Sequence, residues 1–538
     1  MTLRLVTESA LNAVYDYHER TKHRLNRYAR SLGYMDWANQ PGPFRRYEGA
    51  PLLRLQPPGD DPHPTYDSLF GDQLPPQPIT KESVSRLFYY SLALSAWKQI
   101  DNPDGTIHSR WSLRVDPSSG NLHPTEGYLI CGPVEGLREK PAVYHYAPRE
   151  HGLELRRTLD GIPGLPGGAA LIGISSIHWR EAWKYGERAY RYCQHDCGHA
   201  IGAITLSAAC LGWRTRMLGD IGTASLSRLL GIDSQEGPEA EHADCLLLLS
   251  PEPPGVSPKT LSSLRGSEWL GAPNELSASH HRWPVIEEVS KAAGSSGLTS
   301  HEREPLVAFE PPPGRDLSAH RIIRQRRSAV DMDGETSLER DVFFRMLQRA
   351  MPQRMPFESL PWAPAVSLAL FVHRVTGVHP GLYILVRGKA HEASLREAFR
   401  SEFLWEKPGN CPGGLPLYLL VPGDVQDAAQ TVSCHQEIAA NGVFAAGMLA
   451  RFDETLKESG PAMYPRLFWE TGLIGQVLYL EAEAAGVRAT GIGCFFDDVM
   501  HRTMGIQAHS WQSLYHFTIG GPVEDPRLRT IDAYSHLS

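Results

Sequence analysis

Gly186–Ile232, reading GERAYRYCQHDCGHAIGAITLSAACLGWRTRMLGDIGTASLSRLLGI, returns in outline 274 residues later as Gly460–Ile506, reading GPAMYPRLFWETGLIGQVLYLEAEAAGVRATGIGCFFDDVMHRTMGI. At this one offset Gly460 falls on Gly186, Tyr464 on Tyr190, Gly472 on Gly198 and Gly486 on Gly212. Arg488 falls on Arg214, Gly493 on Gly219, and Gly505-Ile506 on Gly231-Ile232. These eight identities, five of them glycine, are hard to obtain by chance in so short a window. A single long-period copy is not a solenoid. It predicts a duplicated domain, and two copies in one chain make an intramolecular version of a twofold dimer.

Outward from the repeat, 538 residues are too many for one core. The content is 41% apolar and 21% charged, as in ordinary globular proteins. A net charge of −8 gives no reason to expect a nucleic acid or an anionic membrane as partner. The first residues carry an acid at Glu8 and no signal-length apolar run, and CLLLLS and LYILV are strand-sized rather than membrane-spanning. Eight cysteines without framework spacing fit free thiols in a reducing cytoplasm. The expectation is a cytoplasmic protein.

The pattern predicts a leading helix and extended arm over 1–78, a first domain over 79–255, a Pro/Gly/Ser-rich linker over 256–315 and a second domain over 316–538. Within these, helices are expected over Lys81–Gln99, Trp183–Leu211, 322–350 and 431–486. Strands are expected at GYLICG, through 142–175, at 245–251, and at VSLALFVHRV, GLYILV, PLYLLVPG and QSLYHFTIGG. In the linker, Trp269 and Trp283 imply that part of it packs.

The richest polar loop is RVDPSSGNLHPTEGY, Arg114–Tyr128. Pro117 and Pro124 stiffen it, Ser118, Ser119 and Asn121 offer short polar groups, and Gly120 permits close approach of a flat ligand. Trp183–Ala200 begins too polar for plain core. Its Lys184-Tyr185 pair reads either as a proton-transfer pair or as a solvated lysine at a helix interface. Cys193, His195, Cys197 and His199 alternate on a helix and so cannot converge on zinc; no metal is expected. Arg326-Arg327-Ser328 can hold a phosphate or carboxylate, or form a surface basic cluster. Gly491 and Gly493 are expected in a ligand-facing loop with no strand before it. Arg527 and Arg529 offer a second anion anchor. No Walker loop, GxSxG elbow or Rossmann fingerprint is present.

PSSGNLHP resembles the PSSxNxQP loop of FMN-dependent nitroreductases, and RRS resembles their N-terminal phosphate motif. The segment TKHRLNRYARSLGYMDWANQPGPFRRYEGAP, the PSSGN region and the KYGERAYRYCQHDCGH helix are similar to SagB/ThcOx-type dehydrogenases, which oxidise azolines to azoles in modified peptides. The resemblance implies an α+β fold with a mixed sheet flanked by helices, and FMN held between two copies. It implies a site in which Arg326, Arg327, Ser328, Gly491, Gly493, Arg527 and Arg529 come from one half and Pro117, Ser118, Ser119 and Asn121 from the other, with Lys184 and Tyr185 catalytic. The reciprocal site is expected to be degraded: Arg45-Arg46-Tyr47 stands for RRS, Leu218-Gly219-Asp220 for the glycine loop, LPWAPAVSLAL for PSSxN and Glu458-Ser459 for Lys-Tyr. One FMN per chain, a small-molecule or modified-peptide substrate and a monomeric pseudo-dimer follow as expectations. An NAD(P)H-dependent reductase of nitro, quinone or enone compounds and a non-catalytic scaffold are the alternatives.

Overall fold

Two long helices, Ala189–Cys210 and Met463–Ala484, run through the middle of the molecule, each 22 residues and in register with the 274-residue repeat. Nearly every residue of either helix is buried, as expected of helices packed on all sides. They meet at the repeated glycines. A Cβ on Gly198 would lie 2.9 Å from the Gly472 Cα, and a Cβ on Gly472 would lie 2.8 Å from the Gly198 Cα. The repeated Tyr190 and Tyr464 face each other with rings 1° from parallel at 6.3 Å. The pseudo-twofold axis passes through this contact. The computed structural model describes residues 2–252, 261, 264–294, 316–352 and 355–537.

Each half places one sheet against these helices. The first orders its strands Leu52–Arg54, Gly152–Thr158, Ala142–Ala147, Thr125–Cys131, Ala170–Ile177, Glu241–Ser250 and Arg214–Met217. The second orders Leu417–Pro422, Gly381–Leu385, Val366–Val372, Phe444–Arg451, Trp511–Gly520 and Arg488–Ile492, repeating six of those seven positions. The fold is α+β with sheets flanked by helices. The sheets are antiparallel throughout rather than mixed. The long-helix crossover does join two parallel-running strands in each half, but a third strand, Glu241–Ser250 or Trp511–Gly520, inserts between them and opposes both.

Arms cross between the halves. The leading helix, Thr2–Arg20, reaches the second half: the Tyr15 hydroxyl donates to Asp453 at 2.6 Å and His18 Nε2 pairs with Gln512 at 3.1 Å. In return Arg529–Ile531 adds a strand to the hairpin Leu94–Asp101/Ile107–Arg114 of the first half. Trp97 Nε1 donates to the Ala533 carbonyl at 2.8 Å there. One apolar core runs through both halves.

Several expected elements change. The helix at Lys81, capped by Thr80 and Ser83, ends at Tyr89, and Leu94–Asp101 is a strand because NPDG at 102–105 turns the chain into a hairpin. Trp183–Leu211 is two helices, His178–Tyr185 and Ala189–Cys210, broken at Gly186. The 322–350 region is likewise two, Ala319–Gln325 and Arg340–Arg349. Within 431–486, alanine-rich Phe444–Arg451 is the central strand of its sheet, its partners overriding local propensity. Part of the expected linker is structured: Ala272–Pro273 pairs with Tyr47–Glu48, Pro284–Ala292 is a helix, and Trp269 covers Gly231. The stretches 253–260, 262–263 and 295–315 lie outside the described residues.

Gly198→Ala sets a methyl 2.8 Å from the Trp469 Cα, against backbone that cannot yield, whereas Gly202→Ala meets side-chain atoms only, the Gln476 Cβ and Cγ and the Leu473 Cδ1, each at 2.9 Å. Denaturant midpoints should show a loss of about 1–3 kcal/mol for Gly198→Ala and a clearly smaller one for Gly202→Ala.

Candidate active site

The two halves enclose a cavity of about 660 Å³ whose walls include Pro117, Ser118, Ser119, Gly120 and Asn121 from one and Arg326, Arg327, Ser328, Gly491 and Gly493 from the other. The hairpin Leu94–Asp101/Ile107–Arg114, with the strand donated by the C-terminal arm, forms a flap that adds Lys98, Trp111, Leu113 and Thr530.

The PSSGN loop is held from several sides. Ser119 donates its N–H to both Asp196 carboxylate oxygens at 3.0 and 3.1 Å, and its hydroxyl to one at 3.0 Å. Ser118 Oγ accepts the His123 N–H at 2.7 Å, and Asn121 Nδ2 donates to the Ser112 carbonyl at 2.9 Å. Gly120 (φ +57°), Asn121 (φ +60°) and His123 (φ +53°) occupy the left-handed region, which Gly and Asn tolerate best. A Cβ at Gly120 would sit 2.5 Å from the Tyr185 hydroxyl and 3.1 Å from Lys184 Nζ. The Lys184-Tyr185 pair therefore reaches the PSSGN side, with Tyr185 in the cavity wall and Lys184 just behind Gly120.

Opposite, the helix Ala319–Gln325 ends at Arg326, and Ser328 bridges to Ala489 beside the strand Arg488–Ile492. That strand carries Gly491, so the expected loop is a strand end running into Gly493. Arg326 is 4% exposed and donates only to the Arg114 and Val115 carbonyls, with its Nε unpaired. Arg327 donates only to the carbonyls of Arg324, Arg326 and Ser95. Burial and the neighbouring Arg326 and Arg324 push Arg327 down to about 9, still charged at neutral pH. Among the described residues no carboxylate lies within 4 Å of either guanidinium. Glu483 acts on both, and Asp116 on Arg326, from beyond that distance; a buried and a half-buried cation with no carboxylate in contact are costly and leave room for an anion. Ser328 Oγ pairs with Tyr479 at 2.8 Å, and Tyr479 accepts the Gly491 N–H at 3.0 Å. Arg527 and Arg529 are not in this wall: they are exposed and paired with Asp525 and Asp101, while Asp525, Leu528 and Thr530 of the same segment line it.

Three buried acids near the loop escaped the sequence reading. Burial raises Asp116 to about 7 against Arg114, and raises Asp196 to about 7 against its hydrogen bonds from Ser118 and Ser119. Burial, with Asp196 beside it, holds Glu181 well above the carboxylate range. Asp116 was visible in the quoted loop; Asp196 and Glu181 gave only a helix-face signal obscured by the zinc-like Cys and His pattern. Burial and nearby Glu181 likewise push the Tyr185 hydroxyl well up, so it stays protonated at neutral pH.

The reciprocal position is filled. Pro361 packs against Gly219, its Cγ 2.9 Å from where a Cβ would stand. Trp362 is buried, and Glu470, the counterpart of Asp196 at the repeat offset, accepts the Ala365 N–H and binds Arg387 at 2.6 Å. Arg45 and Arg46 have carboxylate partners: Glu241 at 3.4 Å for the first, and Glu150 and Glu154 at 2.6 and 2.5 Å for the second.

A buried ionic chain backs the loop. Arg180 donates to the His123 carbonyl at 2.7 Å and to Glu126 at 2.5 Å, and His145 bridges Glu126 and Glu154 at 3.0 and 2.9 Å. Burial disfavours the His145 cation, but hydrogen bonds to the two glutamates prevail and raise it to about 9. A folded value above the unfolded ~6.5 stabilises the protein below that pH, and the contribution fades as pH climbs through about 9. Denaturation midpoints from pH 6.5 to 9.5 should fall for the natural protein by an amount on the order of 3 kcal/mol. They should fall clearly less for His145→Gln.

The nitroreductase family model matches residues 73–241 and 372–521, more than half of the chain and once in each half. A Methanocaldococcus jannaschii protein bearing a nitroreductase name is 29% identical over 119 residues. That match spans 20% of this chain and 58% of the relative, less than two thirds of its length. A crystal structure of an Anabaena variabilis protein, also named for nitroreductases, aligns over 95% of this chain and 99% of its own at 22% identity, with a TM-score of 0.68. The likeness is one of fold, extending over both halves. A chain of the Escherichia coli microcin synthetase complex, solved with a truncated pro-microcin bound, aligns over 46% of this chain and 97% of its own at 18% identity, with a TM-score of 0.26.

Proposed function

This chain belongs to the nitroreductase family, and from that premise we propose that it is an FMN-dependent oxidoreductase with one flavin site per chain, built jointly by its two halves. The observation that carries this reading is the Arg326–Arg327 pair, without a carboxylate within 4 Å among the described residues, in the wall of a cavity that the PSSGN loop also lines. A terminal phosphate supplies the anion in direct contact that Glu483 and Asp116, farther off, do not. The unpaired Arg326 Nε and Asp116 Oδ1 are polar atoms of the kind a bound ligand satisfies. A cavity of this volume is within the usual range for cofactor sites. The plug of Pro361 and Trp362 and the ion-paired Arg45 and Arg46 support a single site.

In this reading Arg326, Arg327 and Ser328 hold the phosphate, Gly491 and Gly493 leave room against the ligand, and Ser118, Ser119 and Asn121 hold the ring edge. When bound, FMN supplies a two-electron hydride acceptor and donor. The chain's own contribution is proton handling and orientation. The Tyr185 hydroxyl, kept protonated by burial and Glu181, donates a hydrogen bond to the substrate, and Lys184 beside it takes or returns the substrate proton. Asp196 fixes the loop through Ser119.

For substrate, we favour an azoline-type heterocycle or another peptide-derived compound. The support is the resemblance to SagB/ThcOx-type dehydrogenases at the PSSGN and KYGERAYRYCQHDCGH segments, with Tyr185 in the wall of this cavity and Lys184 behind Gly120.

Titration with FMN should show Arg326→Ala weakening binding by ~10-fold or more, the cost of one charge-assisted contact. Lys184→Met and Tyr185→Phe should bind FMN normally but turn over ~100-fold or more slowly. Undiminished FMN affinity in Arg326→Ala would overturn the assignment of the phosphate site. Oxygen-dependent desaturation of an azoline peptide supports the dehydrogenase reading; turnover only with NAD(P)H and a nitro, quinone or enone acceptor replaces it with a reductase.

A further inference from the structure

Cys494 lines the cavity directly after Gly493, and its sulfur lies 3.0 Å from that of Cys434, sixty positions earlier in the chain and hydrogen-bonded to it. Both thiols are free and only partly buried, whereas Cys131, Cys193, Cys197, Cys210 and Cys245 are fully enclosed. The two cysteines are held together deliberately. Cys434 (φ +56°) and His435 (φ +59°) are consecutive non-glycine residues in the left-handed region, a costly backbone that turns Cys434 towards its partner. Gln436 ties the segments by donating to the Ser433 carbonyl at 2.8 Å and the Cys494 carbonyl at 2.9 Å.

The surroundings favour a thiolate at one sulfur. Arg188, fixed by Asp497 at 3.0 Å, donates to the Gly493 carbonyl at 3.2 Å and stands beside Cys494. His23 faces Cys494 from the leading arm, its Nδ1 already accepting the Ala29 N–H at 2.9 Å. The hydrogen bond shared with Cys434 comes first among the influences that lower Cys494 to about 5, burial opposing it, with His23 and Arg188 adding to it. The same contact holds Cys434 in its thiol form. Among the described residues Tyr28, Tyr185, Tyr192 and Asp497 also act on the pair, and His435 follows Cys434 in the chain.

We propose that Cys434 and Cys494 form a second redox centre, a dithiol–disulfide couple at the cavity wall that exchanges two electrons with low-molecular-weight disulfides. The sulfurs are about 1 Å beyond disulfide bonding distance. The Cys494 thiolate attacks one sulfur of the small disulfide, forming a mixed disulfide and expelling one thiolate. Cys434 then gives up its proton and attacks the Cys494 sulfur, expelling the second thiolate. Two protein thiols are oxidised and one small disulfide is reduced to two thiols. Neither step needs a flavin, so the proposal stands apart from the one above.

The test uses the reduced full-length protein equilibrated with oxidised glutathione, free thiols then blocked by iodoacetamide and the digest analysed by mass spectrometry. A linked Cys434–Cys494 peptide should form and be reversed by dithiothreitol. Cys434→Ser should accumulate glutathione on Cys494, because no resolving thiol is left. Cys494→Ser should consume the probe at least ~10-fold more slowly, having lost the attacking thiolate. Two free thiols in the natural protein after equilibration, or glutathione retained on Cys494 without the internal link, would overturn the proposal.

Discussion

The contact between Gly198 and Gly472 sets how closely the two central helices approach, and the composite site depends on that spacing. Without side chains at the crossing, the helices come close enough for the wall that each holds in its own half to face the same cavity. Asp196, two residues before Gly198, holds the PSSGN loop, and Tyr479, seven residues after Gly472, holds Ser328 and Gly491. The two walls of the cavity are therefore positioned by one helix pair. A larger residue at either glycine would move them apart together.

The duplication is symmetric in backbone and asymmetric in chemistry. Six strand positions, both long helices and the glycine crossing recur, because packing constrains them equally in each half. The ligand-facing residues do not recur. Where one site has small polar groups and arginines with no carboxylate in contact among the described residues, the other has Pro361, Trp362 and closed ion pairs such as Arg387–Glu470. The plugged side extends the core, and the open side concentrates the unsatisfied charge. The exchanged arms, Thr2–Arg20 and Arg529–Ile531, bind the halves further.

Much of this was legible in the sequence because glycine positions and local loop chemistry are properties of short stretches. The repeat gave the helix pair, and PSSGN, RRS and Gly491/Gly493 were found where they stand in the cavity wall. Long-range pairing was less legible. Leu94–Asp101 resembles a helix until the NPDG turn is weighed, and Phe444–Arg451 is a strand only because two neighbours complete it. Arg527 and Arg529 matched the expected anion anchor in type, but nearby Asp525 and remote Asp101 hold them at the surface. The acids Asp116, Asp196 and Glu181 take their character from burial, and the Cys434–Cys494 pair from a contact across sixty residues; neither is written in a local pattern.

The central claim is that two halves make one working flavin site. Its most direct measurement is the amount of FMN released per chain from the protein after saturation with FMN and removal of the unbound excess. The account predicts one. Two per chain would contradict it, showing that the position filled by Pro361 and Trp362 opens to accept a second flavin, and none would contradict the assignment of the Arg326–Arg327 site itself.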